Sequence, residues 1–117
     1  MKYHMRLAQN PFMKIKKGSK IIEARIFDEK RQLINIGDFI EFAQSDDSTK
    51  TILTKVKALY RYKTFDELFS NFPISYFGGN SKKELLDEIH QFYSIKEERK
   101  MGIIGIKFEI VNKKSIQ

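Results

Sequence analysis

Apolar and polar residues alternate most regularly over residues 51–62. Ile52, Thr54, Val56, Ala58 and Tyr60 fall on one side of a pleat and Leu53, Lys55, Lys57, Leu59 and Arg61 on the other, which predicts a long strand. The same period of two predicts shorter strands over 2–8, 21–27 and 39–42, and an isoleucine-rich run over 103–111 predicts a closing strand. Between them the period changes to that of a helix. Thr64 and Glu67 have capping-box spacing ahead of Phe65, Leu68, Phe69 and Phe72, with Pro73 as the stop. Ser81 and Glu84 open another helix, whose Leu85, Leu86, Ile89, Phe92 and Tyr93 form an apolar face from which His90 is expected to point away. Asn10-Pro11 reads as the start of an earlier helix that turns Phe12 and Ile15 inward and stops at Gly18. Ser94 and Glu97 repeat the capping spacing before a break at Met101-Gly102.

The remaining stretches are turns. Asp28-Glu29-Lys30-Arg31 is too charged for a core, Asn35-Ile36-Gly37-Asp38 has tight-turn chemistry, 44–50 is polar and turn-rich, and the tail 112–117 is expected to fray. The sum is an α+β plan in which helices interrupt the strands of one sheet, and the number of strands points to a small curved β-barrel with flanking helices.

Composition narrows this picture. A chain of 117 residues with 41% hydrophobic content fits a single domain over 1–117. No apolar run is long enough to span a bilayer and the N-terminal stretch lacks a signal-peptide core, so a cytoplasmic protein without membrane partners is the expectation. Zero cysteines exclude disulfides and thiolate catalysis, and with only two histidines, His4 and His90, no metal and no cofactor is expected. The 22 basic against 15 acidic residues, a net +7, favour a polyanion such as nucleic acid, unless lysine simply covers the solvated faces.

One stretch resists a purely structural reading. Within 16–28 the strand carries Glu23 and Arg25 at a spacing of two, which puts both on one face of the pleat, while Lys20 enters from the glycine turn. In a regular strand Lys20 would face the other way. A shared site therefore requires a bend or bulge near 19–22, or Lys20 reaching across from the turn. Glu23 beside Lys20 favours the charged ammonium over an activated amine. Glu23 itself has the chemistry of a general base or of an acceptor for a base-edge amine, and Arg25 that of a clamp on Glu23 or a fork for phosphate. An ion network that closes one end of the barrel is the alternative.

Gly18-x-Lys20-x-x-Glu23-x-Arg25, followed by Asp28-Glu29-Lys30-Arg31 and Gly37-Asp38, resembles the ASCH family of the PUA-like superfamily. Phe65-Asp66-Glu67-Leu68-Phe69, Gly78-Gly79, Tyr93-Ser94 and Gly102-Ile103-Ile104-Gly105-Ile106 extend the resemblance to small bacterial ASCH proteins over residues 5–110. It implies a PUA-like barrel with a cleft lined by the G-x-K-x-x-E-x-R segment, and RNA or a nucleoside or nucleotide as ligand. One branch of the family hydrolyses N4-acetylcytidine with a lysine, a threonine three residues later and a distant glutamate. Lys20 matches that lysine, Glu23 stands in the threonine's place, and Phe77-Gly78-Gly79-Asn80 offers no carboxylate where the glutamate would be. The resemblance thus leaves three readings: RNA or nucleotide binding, an amidohydrolase with Lys20 and Glu23 as catalytic residues, and a protein-interaction domain. For the first, the expected ligand-binding residues are Lys20, Glu23, Arg25, Lys17, Lys30, Arg31 and Tyr93, with Tyr76-Phe77 as a mobile stacking pair. Lys16, Arg61 and Lys63 are further candidates for phosphate contacts.

Overall fold

The computed structural model describes residues 1–111. The strands are β1 (Lys2–Leu7), β2 (Ile22–Ile26), β3 (Phe39–Gln44), β4 (Asp47–Tyr62) and β5 (Ile103–Ile110). The helices are α1 (Gln9–Lys16), α2 (Phe65–Asn71), α3 (Lys82–Ile89) and α4 (Ile95–Met101), with 3-10 turns at Arg31–Leu33 and Ile74–Tyr76. One five-stranded sheet has the order β1-β3-β4-β5-β2. The β1/β3 pair is parallel and the others are antiparallel.

This order places β1 and β2, consecutive strands in the chain, at opposite edges of the sheet. The sheet curls until the edges approach, and Arg25 of β2 donates from its Nη2 to the Arg6 carbonyl of β1 at 3.1 Å. The result is a half-barrel whose open seam lies between β1 and β2, with α1 as the connection across it. Alternation along β2 sorts its side chains between two faces. Ile22, Ala24 and Ile26 pack with Phe65, Leu68, Phe69, Phe77 and Leu85. Glu23 and Arg25 take the other face, opposite Ile106 and Ile104 of β5, which belong to the cluster with Phe12, Ile15, Ile40 and Phe42.

The capping chemistry is formed as the sequence predicts. The Thr64 and Ser81 hydroxyls accept from the Glu67 and Glu84 amides at 3.2 and 3.1 Å. Ser94 and Glu97 complete a reciprocal box at 3.0 Å in each direction. Gly18 and Gly102 end α1 and α4 with φ of +82° and +71°.

Several boundaries differ. α1 begins at Gln9 on an extended Ala8, so Asn10 does not cap it. Pro11 is tolerated in the first turn because the N–H it lacks there would have no intrahelical partner. β4 begins at Asp47, because Ser45-Asp46 makes a two-residue turn and Asp47 pairs with Gln44 of β3, after which a register shift carries the pairing on to Thr51 and Ala43. α3 ends at Ile89, so Phe92 leaves the predicted apolar face and stands 76% exposed. His90 is partly exposed and makes one specific contact. Its Nε2 lies 2.7 Å from Oε1 of the buried Glu98, whose Oε2 accepts from the Phe65 amide at 2.7 Å, so one carboxylate ties α2, α3 and α4 together. Among the described residues no helix is long and apolar enough to cross a membrane. The predicted fraying of 112–117 lies outside the described residues.

Candidate functional site

The seam of the half-barrel contains the charged segment, and a local detour of the chain puts Lys20 there. After Gly18 the amides of Ser19 and Lys20 both donate to the Lys14 carbonyl, at 2.9 and 3.1 Å. The chain then pairs away from β2. Lys20 forms an antiparallel bridge with Phe77, and the Ile21 amide donates to the Tyr76 carbonyl at 2.8 Å. This is the bend that a shared site requires, and it turns Lys20 toward Glu23.

The Lys20 Nζ lies 3.1 Å from Glu23 Oε1 and donates to the carbonyls of Ile22 and Phe77 at 3.0 and 3.1 Å. An ammonium has three N–H groups, so all of them have acceptors. Glu23 Oε2 accepts from Arg25 Nε at 2.7 Å. Lys20 and Glu23 are both buried, at 7% and 6% exposure. Burial pushes the Glu23 carboxyl up, but the Lys20 and then the Arg25 charges outweigh it and hold the group below its ordinary value. Burial also works against the Arg25 charge, and the Glu23 carboxylate, helped by the Tyr93 oxygen, more than restores it.

The donor count separates the roles of the three residues. Lys20 has no spare N–H for an oxyanion. Glu23, ionised and with a lowered pKa, is a weak base, whereas proton abstraction near neutrality favours a raised one. Arg25 carries five N–H groups; Glu23 and the Arg6 carbonyl accept from two of them and the Tyr93 oxygen lies beside the same guanidinium, so only part of its donor set is unspent. Lys20 and Glu23 are thus tied into the protein, and Arg25 is the one of the three with N–H groups to spare.

Arg25 opens on a cavity of about 880 Å³, bounded by Asn10 and Lys14 of α1, the Phe77–Asn80 segment, Glu84, Leu85 and Glu88 of α3, and Gln91, Phe92 and Tyr93. Lys14 donates to the Gly78 carbonyl at 2.6 Å. Gly78 has φ of +77°, and a Cβ there would come within 3.1 Å of Lys20 Cβ and 3.2 Å of Lys14 Cδ. Two lysine stems thus clamp a turn that only glycine fits.

Of the expected ligand residues, Lys20, Glu23, Arg25, Phe77 and Tyr93 line this cavity. Phe77 is not a mobile stacking group. It is 3% exposed, with its ring edge-on to Phe69 at a centroid distance of 4.9 Å, because the bridge to Lys20 pulls it into the core. Tyr76 is 37% exposed and lies off the cavity wall. Lys17, Lys30 and Arg31 also lie off it, and Arg31 is paired with Asp28 across the 3-10 turn. Lys16, Arg61 and Lys63 are likewise absent from the wall.

Sequence reasoning missed Arg6, Asn80, Glu84, Glu88 and Phe92. The spacing of four between Glu84 and Glu88 was a readable signal for one shared helix face. Nothing local marks the others, since the cavity wall is assembled from separate elements.

The fold is a small α+β half-barrel with a charged, solvent-open seam. The chain belongs to the ASCH domain family, whose model matches residues 5–112. Among solved structures it is similar to the hypothetical protein PH0355, at 34% identity and a TM-score of 0.85 over 95% of this chain and 100% of that one. Protein PF0455 from Pyrococcus furiosus is 31% identical, with a TM-score of 0.76 over 96% of this chain and 99% of its own. The ASCH domain from Lactobacillus crispatus JV V101 shares the fold, at a TM-score of 0.65 and 11% identity over 93% of this chain and 79% of that one. No curated protein matches the chain. The fold is thus α+β and PUA-like.

Proposed function

We propose that this ASCH domain binds a nucleotide unit, free or as an unstacked residue of single-stranded RNA, in the cavity at the β1/β2 seam. The observation that carries the reading is the unspent side of Arg25, fixed by Glu23 and the Arg6 carbonyl and turned to a cavity of about 880 Å³. That volume is within the usual range for small-molecule sites. A fixed guanidinium recognises phosphate or a base carbonyl with two parallel bonds. The amides of Asn80 and Gln91 supply donors and acceptors for a base edge, and the exposed ring of Phe92 on the cavity wall supplies a stacking face.

Titration of 15N-labelled protein with cytidine and with cytidine 5′-monophosphate tests this. Shifts should concentrate at Arg25, Asn80, Gln91 and Tyr93, and Arg25→Ala should abolish them. No shift from either compound at millimolar concentration refutes the reading. Hydrolysis of N4-acetylcytidine asks more of the site, because Lys20 would have to give up a carbonyl or Glu23 to reach a substrate oxygen. No acetate release is expected, and release that Lys20→Ala removes would replace binding with catalysis.

A further inference from the structure

A second concave surface lies at the end of β4, where Arg61, Tyr62 and Lys63 meet Arg99, Lys100 and Gly102 at the close of α4. It is an open groove of about 810 Å³ with nine lining residues, in which four basic side chains face one carboxylate, that of Glu67. These residues contribute +3 of the chain's +7, so the positive charge is not spread evenly over solvated faces. The cavity at the seam differs. There Arg6, Lys14, Lys20 and Arg25 face Glu23, Glu84 and Glu88, and the excess is only +1.

The cations of the two sites are also occupied differently. Lys14, Lys20 and Arg25 are bonded to the protein itself. Among the described residues, Arg61, Lys63, Arg99 and Lys100 enter no ion pair. Arg61 is held in place without being neutralised, its guanidinium carbon 3.3 Å from the centroid of the Phe27 ring. Gly102 has φ of +71° and a Cβ there would stand 3.2 Å from the Tyr62 carbonyl, so the groove has backbone for part of its floor.

Arg99 and Lys100 suit the C-terminal end of α4, but bringing them onto one face with Arg61 and Lys63 is opposed by the mutual repulsion of the four charges. A charged, open trough suits the backbone of a polyanion rather than a small ligand. We propose that this groove takes the phosphodiester backbone of single-stranded RNA, separately from the seam cavity. The identity of the partner rests on the nucleotide reading of that cavity, and the geometry of the groove does not. Base recognition and phosphate neutralisation are thereby divided between a nearly charge-balanced cavity and a strongly basic groove.

The test is fluorescence anisotropy of a labelled oligouridylate over a series of salt concentrations, with wild type, Lys63→Gln and the pair Arg99→Gln with Lys100→Gln. All three positions are exposed, so the variants should fold, which circular dichroism checks. Removing each charge should reduce the slope of log K against log salt by about 0.7, while the cytidine shifts at Arg25 and Tyr93 stay as in wild type. Unchanged slopes overturn the groove, as does absence of oligouridylate binding at low salt. Equal competition by polyglutamate of matched charge overturns the assignment to RNA. Should cytidine give no shifts while the oligouridylate binds with the expected slopes, the cavity reading fails and the groove stands.

Discussion

Replacing Glu23 by Gln is the sharpest test of the Lys20–Glu23–Arg25 network. The two carboxylate oxygens accept from Lys20 at 3.1 Å and from Arg25 at 2.7 Å, and both contacts are out of water. A glutamine keeps one acceptor and turns an NH2 toward the other cation, so one charge-assisted bond becomes a donor facing a donor. Two buried cations then lose their common counter-charge. Breaking a buried pair by removing one partner costs about 3–5 kcal/mol. Set against a typical total of about 5–15 kcal/mol for a domain, that is a large share. For a chain of this length it corresponds to a fall in Tm of roughly 12–20 °C.

The pH dependence gives a second readout. The folded-state carboxyl lies below its ordinary value of 4.5, so its contribution is complete above that value and is lost as pH falls through the lower folded value. Urea unfolding followed by circular dichroism should show the full gap between wild type and Glu23→Gln at about pH 7, shrinking toward about pH 3. A gap of less than about 1 kcal/mol at neutral pH, the scale of an exposed ion pair, would refute the reasoning. So would a gap that does not change as the solution is acidified.

Two further substitutions probe how the helices are seated. At Gly105, which pairs with Ala24 on the α2 side of the sheet, an added Cβ would stand 2.8 Å from Leu68 Cδ1, so Gly105→Ala should lower stability by about 1–3 kcal/mol. An unchanged urea midpoint would mean that Leu68 rotates away freely. Glu98→Ala strands the Phe65 amide and the His90 ring and should cost about 1–3 kcal/mol in thermal unfolding. His90→Ala should cost less, since that side chain is already 31% exposed, and the reverse order would argue that the histidine rather than the carboxylate holds the helices.

The parts of the fold that could be read in advance are those whose cause is local. Thr64, Ser81 and Ser94 cap helices because a hydroxyl and an amide three residues on meet whatever the rest of the chain does. The same holds for the glycine stops at Gly18 and Gly102. Phe92 defeats the helical period because α3 ends at Ile89, and beyond that point the phase that groups Phe92 with Leu85 has no meaning. The start of β4 at Asp47 is equally invisible, since a polar residue joins the strand there only because Gln44 of β3 is opposite to pair with it.

The site divides in the same way. That Glu23 and Arg25 share a face follows from the period of two and needs nothing beyond the sequence. That Lys20 joins them depends on the bridge to Phe77, a contact across 57 positions of chain, and the same bridge withdraws Phe77 from any stacking role. Only the curl of the sheet brings Arg25 to the Arg6 carbonyl on the opposite edge, and with it the question of which cation is free to meet a ligand. The sequence by itself determined which charges occur and which face of β2 carries them. The tertiary structure decided which of them are spent, because a hydrogen bond to a distant carbonyl exists only once the chain has folded back to offer it.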